Sequence, residues 1–150
     1  MFSLIITIIS IALVAALALA TIYYGGDAFT KGGDAAKAAQ FINEGQQLQG
    51  ALTLRTVQEP TAVALVDGSV GTQLAGYLAQ APANWAVDGS AFTVVAGSPS
   101  VCAEVNAKSG HTASDVANVA AALAATTDKV YFCDNVGAEG AEVPTVIYRF

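Results

Sequence analysis

The first 24 residues of the chain form an apolar stretch that contains no charged side chain. Between Phe2 and Tyr24 the stretch is interrupted only by Ser3, Thr7, Ser10 and Thr21. As a helix with a rise of ~1.5 Å per residue, it would be about 35 Å long, which is enough to cross a hydrocarbon core of ~30 Å. Such a helix is stable in lipid or in a bundle of its own copies, but not alone in water. The rest of the chain is therefore interpreted as a domain attached to this helix.

Composition limits what that domain can be. The chain has 150 residues, so about 125 remain after the apolar stretch, enough for one modest domain. Charged residues make up 12% of the chain, about half the usual share, and this favours a subunit that buries much of its surface against neighbours. The net charge of −6 argues against direct binding of nucleic acid, which requires clustered cations. The six cations are scattered: Lys31, Lys37, Arg55, Lys108, Lys129 and Arg149.

The chain has two cysteines, Cys102 and Cys133. In an exported protein we expect them to form a disulfide. It would close a loop of about 30 residues and stabilise the fold by roughly 3 to 4 kcal/mol. The alternative is a pair of buried free thiols in a cytosolic protein, but the apolar start favours export. With His111 as the only histidine, a zinc site is not expected.

Two familiar roles are considered for the apolar stretch. Residues 18–20 (Ala-Leu-Ala) match the cleavage site of a secretory signal, but the stretch is too long for one and no Lys or Arg precedes it. A single-pass anchor fits the length. The first cation, Lys31, lies between Asp27 and Asp34, so flanking charge does not fix the orientation of such an anchor.

The third role is an assembly helix, which lies in the membrane before use and in a bundle of identical helices afterwards. Ala12, Ala16 and Ala20 recur at four-residue spacing and form a strip on which another helix can pack closely. We expect this strip to be a helix-packing surface.

A glycine-rich segment follows the apolar stretch. Gly25, Gly26, Gly32 and Gly33 each cost about 1 kcal/mol relative to Ala inside a helix, so we expect the helix to break or loosen here. A second, amphipathic helical pattern then continues to about residue 57, and Pro60 ends it. Its apolar positions are Ala38, Phe41, Gly45, Leu48 and Leu52. We therefore divide the chain into an N-terminal helix over 1–57 and a globular αβ domain over 58–150.

The second part of the chain reads as several short strands and one or two helices. Strands are predicted over 61–66, 91–96, 101–105, 129–133 and 145–150, with a helix or strand over 73–79. The clearest late helix is predicted over 112–125, with Thr112 or Ser114 as its N-cap. The predicted fold class is α+β, with the amphipathic half of the long helix packed on a small antiparallel sheet.

This architecture resembles a type IV pilin, and the type IVb branch more than type IVa. The resemblance rests on the apolar start FSLIITIISIALVAALALATIYY, its amphipathic continuation, the small αβ domain and the C-terminal cysteine pair. It implies that Met1 is a processed, methylated N-terminus, or Phe2 if processing falls one residue later. It also implies an exposed, variable region between the cysteines. The chain departs from the family in having Ile5 and Ile6 where a glutamate usually stands, so subunit register would depend on packing.

The resemblance further implies a function. The chain would be the structural subunit of an extracellular helical filament, a homo-oligomer that serves adhesion, motility or DNA uptake. Before assembly it would be anchored in the inner membrane, where pilus assembly machinery would handle it. An archaeal pilin or flagellin-like protein is a close variant. The main alternative belongs to a different functional class: a membrane-anchored, monomeric periplasmic or surface binding domain. An enzyme with a signal anchor is the third and least favoured interpretation.

No residue pattern points to catalysis, a cofactor or a metal. His111 with Ser109 or Ser114 could belong to a Ser-His-Asp arrangement, but an exposed loop histidine near a helix start is the preferred interpretation. Asp134, Glu139 and Glu142 lie in a Gly-rich stretch without EF-hand spacing, which favours a solvated loop over a calcium site. Three aromatic residues are assigned to the core or a subunit interface: Tyr77, Trp85 and Phe92.

Overall fold

The structure is a computed structural model that describes residues 2–61 and 64–150. The chain divides into two compact units, the first ending at Asp34 and the second comprising Ala35–Phe150. The division by packing therefore lies at 34/35, whereas the sequence suggested 57/58. The reason is that the later part of the first helix is built into the core of the second unit. Ala38, Leu48 and Ala51 are buried there.

Helix α1 spans Phe2–Gln58. It is continuous through Gly25, Gly26, Gly32 and Gly33, so the isolated chain has no break at these glycines. Helix formation satisfies the backbone hydrogen bonds of this segment, and that outweighs the modest intrinsic cost of each glycine. Local loosening on assembly stays a prediction.

The second unit contains a six-stranded sheet in the order β1-β2-β3-β6-β5-β4. Its strands are β1 (Gly68–Ser69), β2 (Ala86–Asp88), β3 (Ala91–Val95), β4 (Asp115–Val116), β5 (Tyr131–Val136) and β6 (Val143–Arg149). Neighbouring strands are antiparallel except β4 and β5, which are parallel. The short helices are α2 (Val70–Gln73), α3 (Pro99–Ser109) and α4 (Val119–Ala125). The predicted α+β fold is confirmed.

Both faces of the sheet are covered, because successive side chains of a strand point to opposite faces. On one face, Phe92, Val146 and Tyr148 belong to the larger core cluster, which also includes residues of α1 and α3. On the other face, Phe132 and Ile147 pack with α4 residues. The predicted core aromatics are confirmed for Trp85 and Phe92, which are buried, while Tyr77 is partly buried against the larger cluster.

Close contact between α1 and the sheet depends on Gly45. A Cβ atom added at this glycine would overlap the ring of Tyr148 on β6. The glycine in the middle of the amphipathic pattern is therefore a contact point for an aromatic ring. The predicted apolar face of α1 is confirmed, with Phe41 and Leu52 packed against the same cluster.

The structure corrects two secondary-structure predictions. Residues 101–105, predicted as a strand, lie inside α3, which Ser98 caps by accepting a hydrogen bond from the Val101 N–H and which Gly110 ends at a φ of 70°. The helix predicted over 112–125 is confined to α4. Its N-cap is Asn118 rather than Thr112 or Ser114.

Smaller differences concern the ends and the early strands. The strand predicted over 61–66 includes residues 62 and 63, which lie outside the described residues, and residues 64–66 are not in a strand. In the segment 73–79, only Gln73 is helical, as the last residue of α2. The late strands are longer than expected: β5 continues to Val136 and β6 begins at Val143.

Candidate assembly surface

The apolar part of α1 is the most conspicuous surface of the molecule. Every residue from Phe2 to Gly33 is exposed. Phe2, Leu13 and Leu19 keep 84%, 59% and 71% of their surface accessible. A contiguous apolar surface of this size marks a site of contact with lipid or protein.

Three of the four polar residues in the stretch from Phe2 to Tyr24 have a hydrogen-bond partner within the helix. Thr7 donates a hydrogen bond to the Leu4 carbonyl at 2.8 Å, and Ser10 donates to the Ile6 carbonyl at 2.8 Å. Thr21 likewise donates to the Ala18 carbonyl at 2.9 Å. Because these hydroxyls are satisfied within the helix, the surface from Phe2 to Tyr24 can be transferred out of water without breaking their hydrogen bonds.

The alanine strip lies on one side of this helix. At about 100° per residue, Ala12, Ala16 and Ala20 are separated by steps of about 40° around the axis and about 6 Å along it. All three are exposed. Their small side chains allow a neighbouring helix backbone to approach closely.

Two expectations concern the beginning of the helix. Met1 lies outside the described residues, and Phe2 is the first residue of α1. Processing and methylation at either residue stay predictions. Within the described part of the chain, α1 is the one helix that is long and apolar enough to cross a membrane by length and composition.

The disulfide between Cys102 and Cys133 links α3 to β5, with their Cα atoms 5.3 Å apart. Asn106, one turn further along α3, reinforces this link. Its side-chain amide donates to the Cys133 carbonyl at 2.7 Å and accepts from the Cys133 N–H at 2.8 Å. The Asn106 side chain thus replaces a neighbouring strand at this position of β5, a role that the sequence did not reveal.

A second polar cluster joins the segment after α3 to β5. Asp134 is fully buried, and its Oδ1 accepts hydrogen bonds from the Ser114 N–H at 2.8 Å and the Ser114 hydroxyl at 3.2 Å. His111 Nε2 lies 2.8 Å from the same Asp134 oxygen. The His111 ring packs against the ring of Phe132. The sequence placed His111 in an exposed loop near a helix start. It lies instead just after α3 and is largely buried, because Asp134 and Phe132 hold it.

The cluster contains Ser, His and Asp but lacks the geometry of a nucleophilic triad. The Ser114 hydroxyl donates to the carboxylate and not to the imidazole, so the histidine is not placed to take the serine proton. These contacts link the segment after α3 to strand β5. Ser109 is not part of it: its hydroxyl donates to the Asn106 carbonyl.

The three carboxylates considered for calcium are not brought together. Asp134 is buried in β5, Glu139 is exposed, and Glu142 accepts a hydrogen bond from the Gly140 N–H. Over residues 2–61 and 64–150, no group of three or more His, Cys, Asp or Glu side chains is placed to hold a metal ion.

Comparison with known proteins gives no relative. No protein-family model matches the sequence, and neither a curated protein nor a solved structure matches it. The function is therefore inferred from the molecule itself.

Proposed function

We propose that this chain is the structural subunit of an extracellular, type IV pilin-like filament that polymerises through the apolar part of α1. The observation that carries the proposal is that every described residue of this segment is exposed, and that the segment is joined in sequence to a disulfide-containing domain. The domain already has its own core, so the segment requires lipid or other copies as its partner.

A filament core meets this requirement. Before assembly, the helix would lie in the inner membrane, where lipid tails cover it. During assembly, handled by pilus assembly machinery, contacts between copies of the helix would replace lipid contacts of similar polarity. Head-to-tail contacts that do not close into a ring would then generate a homo-oligomeric helical polymer.

The domain suits the outer layer of such a polymer. The Cys102–Cys133 disulfide is expected in an oxidising environment outside the cytosol. The finer roles of adhesion, motility or DNA uptake remain proposals for the filament as a whole. We propose no enzymatic activity, since the Ser114–His111–Asp134 cluster lacks an activated nucleophile.

Electron microscopy of sheared cell-surface material tests this proposal. We expect regular fibres that contain this chain, identified by mass spectrometry, whose N-terminal peptide also reports processing at Met1 or Phe2. A cell surface that carries the protein without any such fibre would contradict the filament.

A matched pair of helix variants tests the packing surface. Ala16→Phe adds bulk on the alanine strip, whereas Ala18→Phe adds the same bulk about 200° around the helix. We expect the first variant to lower the filament yield strongly and the second to lower it less. The globular domain should remain folded in both variants. Equal yields from the two variants would contradict close packing at the alanine strip.

The second candidate function is a membrane-anchored, monomeric surface domain. It is favoured by the length and composition of α1, which suffice for one membrane crossing. In that case the protein would remain in the membrane fraction after shearing and would not be recovered in fibres.

A further inference from the structure

The first charges of the chain form a stripe on the same side of α1 as the alanine strip. Asp27, Lys31 and Asp34 follow the charge-free stretch and alternate in sign. At about 100° per residue they lie within about 60° around the helix axis, with axial steps of about 6 Å and 4.5 Å. On the same geometry, Ala12, Ala16, Ala20 and the three charges share a face about 100° wide.

Within residues 2–61 and 64–150, none of these three charged side chains forms an ion pair. The ion pairs His111–Asp134 and Lys129–Asp128 both lie in the second unit. Asp27 and Lys31 are exposed, although their four-residue spacing would permit a pair along the helix. Asp34 is partly exposed, so all three side chains of the stripe are accessible to a neighbouring molecule.

The alternation makes the stripe complementary to a shifted copy of itself. If two parallel helices pack face to face in register, each charged residue of the stripe lies opposite the same residue of the other helix, and like charges repel. If one helix moves by about one turn, its Lys31 lies opposite Asp27 of the other, and its Asp34 lies opposite Lys31 of the other. Charges flanking an apolar helix interface are known to select partner and register in this way.

We propose that the Asp27–Lys31–Asp34 stripe sets the axial stagger between neighbouring copies of this chain, with the alanine strip allowing their close approach. The proposal rests on the filament function above and supplies the register that uniform apolar contacts alone do not specify. The preferred stagger also prevents two subunits from pairing symmetrically, so that contacts continue along an open polymer.

Charge variants of the full chain, expressed in cells, test the proposal. Lys31→Glu makes the stripe uniformly negative and repulsive at every stagger, so we expect the filament yield, relative to protein in the membrane fraction, to fall about tenfold or more. Lys108→Glu is the matched control, because it changes the net charge equally on an exposed part of α3. Its yield should stay within about twofold of the unaltered protein.

The inverted variant Asp27→Lys/Lys31→Asp/Asp34→Lys provides the sharper test. It keeps the alternation, so we expect it to assemble with near-normal yield and unchanged axial rise, as measured by helical reconstruction from electron micrographs. Mixed with the unaltered chain, however, it would place like charges together at the native stagger. Two differently tagged proteins should therefore segregate into separate filaments.

Each outcome decides the proposal. If Lys31→Glu assembles normally, or the inverted variant mixes freely with the unaltered chain, the stripe does not set the stagger, while the filament function stands. Failure of the inverted variant to assemble also overturns the proposal. If the unaltered chain forms no filament at all, both proposals fail.

Discussion

The two compact units of this protein differ in whether their large apolar side chains are buried or exposed. The second unit buries its large apolar side chains, such as Phe92 and Phe132, and pairs the buried amide of Asn106 with the backbone of its own sheet. The first unit leaves Phe2 to Tyr24 exposed, while the hydroxyls of Thr7, Ser10 and Thr21 donate hydrogen bonds within the helix. The second unit therefore has its own core, whereas the apolar surface of the first unit requires a partner.

Removal of the first unit should have the largest effect. A chain that begins at Ala35 retains all the residues that are buried in the described part of the chain, the first of which is Ala38. We expect it to fold with its disulfide formed, to remain monomeric in solution and to form no filament. Size-exclusion chromatography, near-ultraviolet circular dichroism and electron microscopy check these expectations. Fibres formed by the shortened chain would show that the domain, and not the helix, drives assembly.

Removal of the disulfide should have the next largest effect, and only on the domain. Cys102→Ala/Cys133→Ala releases a link between residues 31 positions apart, and we expect the free energy of unfolding to fall by about 3 to 4 kcal/mol. Denaturant unfolding of the chain that begins at Ala35 measures this change. The reduced, unaltered domain is the control and should unfold near the same denaturant concentration. An unchanged midpoint would mean that the disulfide does not stabilise the domain.

Asn106→Ala should weaken the connection between α3 and β5 without touching the disulfide. The variant leaves the Cys133 N–H and carbonyl without their side-chain partner, which should cost about 1 to 3 kcal/mol. Asn135→Ala is the matched control, because its amide bonds Asp115 at 2.7 Å on an exposed surface. We expect the control to cost about 1 kcal/mol or less. Equal costs for the two variants would contradict the importance of the buried Asn106 contacts.

Two glycines within α1 should respond oppositely to the same substitution. Gly45→Ala would force a methyl group into the ring of Tyr148 and should cost about 1 to 3 kcal/mol. Gly50→Ala meets no atom within 4 Å and should stabilise the helix by about 1 kcal/mol. Thermal unfolding of the chain that begins at Ala35 measures both changes in stability. A stabilising Gly45→Ala would contradict the close approach of α1 to β6.

The general architecture could be predicted because it depends on long, periodic patterns. The apolar run to Tyr24 and the three- and four-residue spacing from Ala38 to Leu52 each extend over several helical turns. The strand over 91–96 was also recognisable, from its β-branched residues and a turn on either side.

The missed elements depend on short signals or on contacts distant in sequence. For α3, two valines within residues 101–105 suggested a strand, although Ser98-Pro99 at the start and Gly110 at the end are ordinary helix boundary signals. The cluster of His111, Ser114 and Asp134 joins residues 20 and 23 positions apart. No periodic pattern records such a contact, and only the folded chain shows it.

Cross-linking at Ala16 tests whether the apolar face of α1 packs against other copies of the same chain. The full-length protein would carry a photo-activated cross-linking residue at this position and would be illuminated on intact cells. If the helices form a bundle, illumination should give a ladder of covalent multimers of this chain that extends beyond the dimer. Recovery of the protein only as monomers, or cross-linked only to lipid, would contradict it.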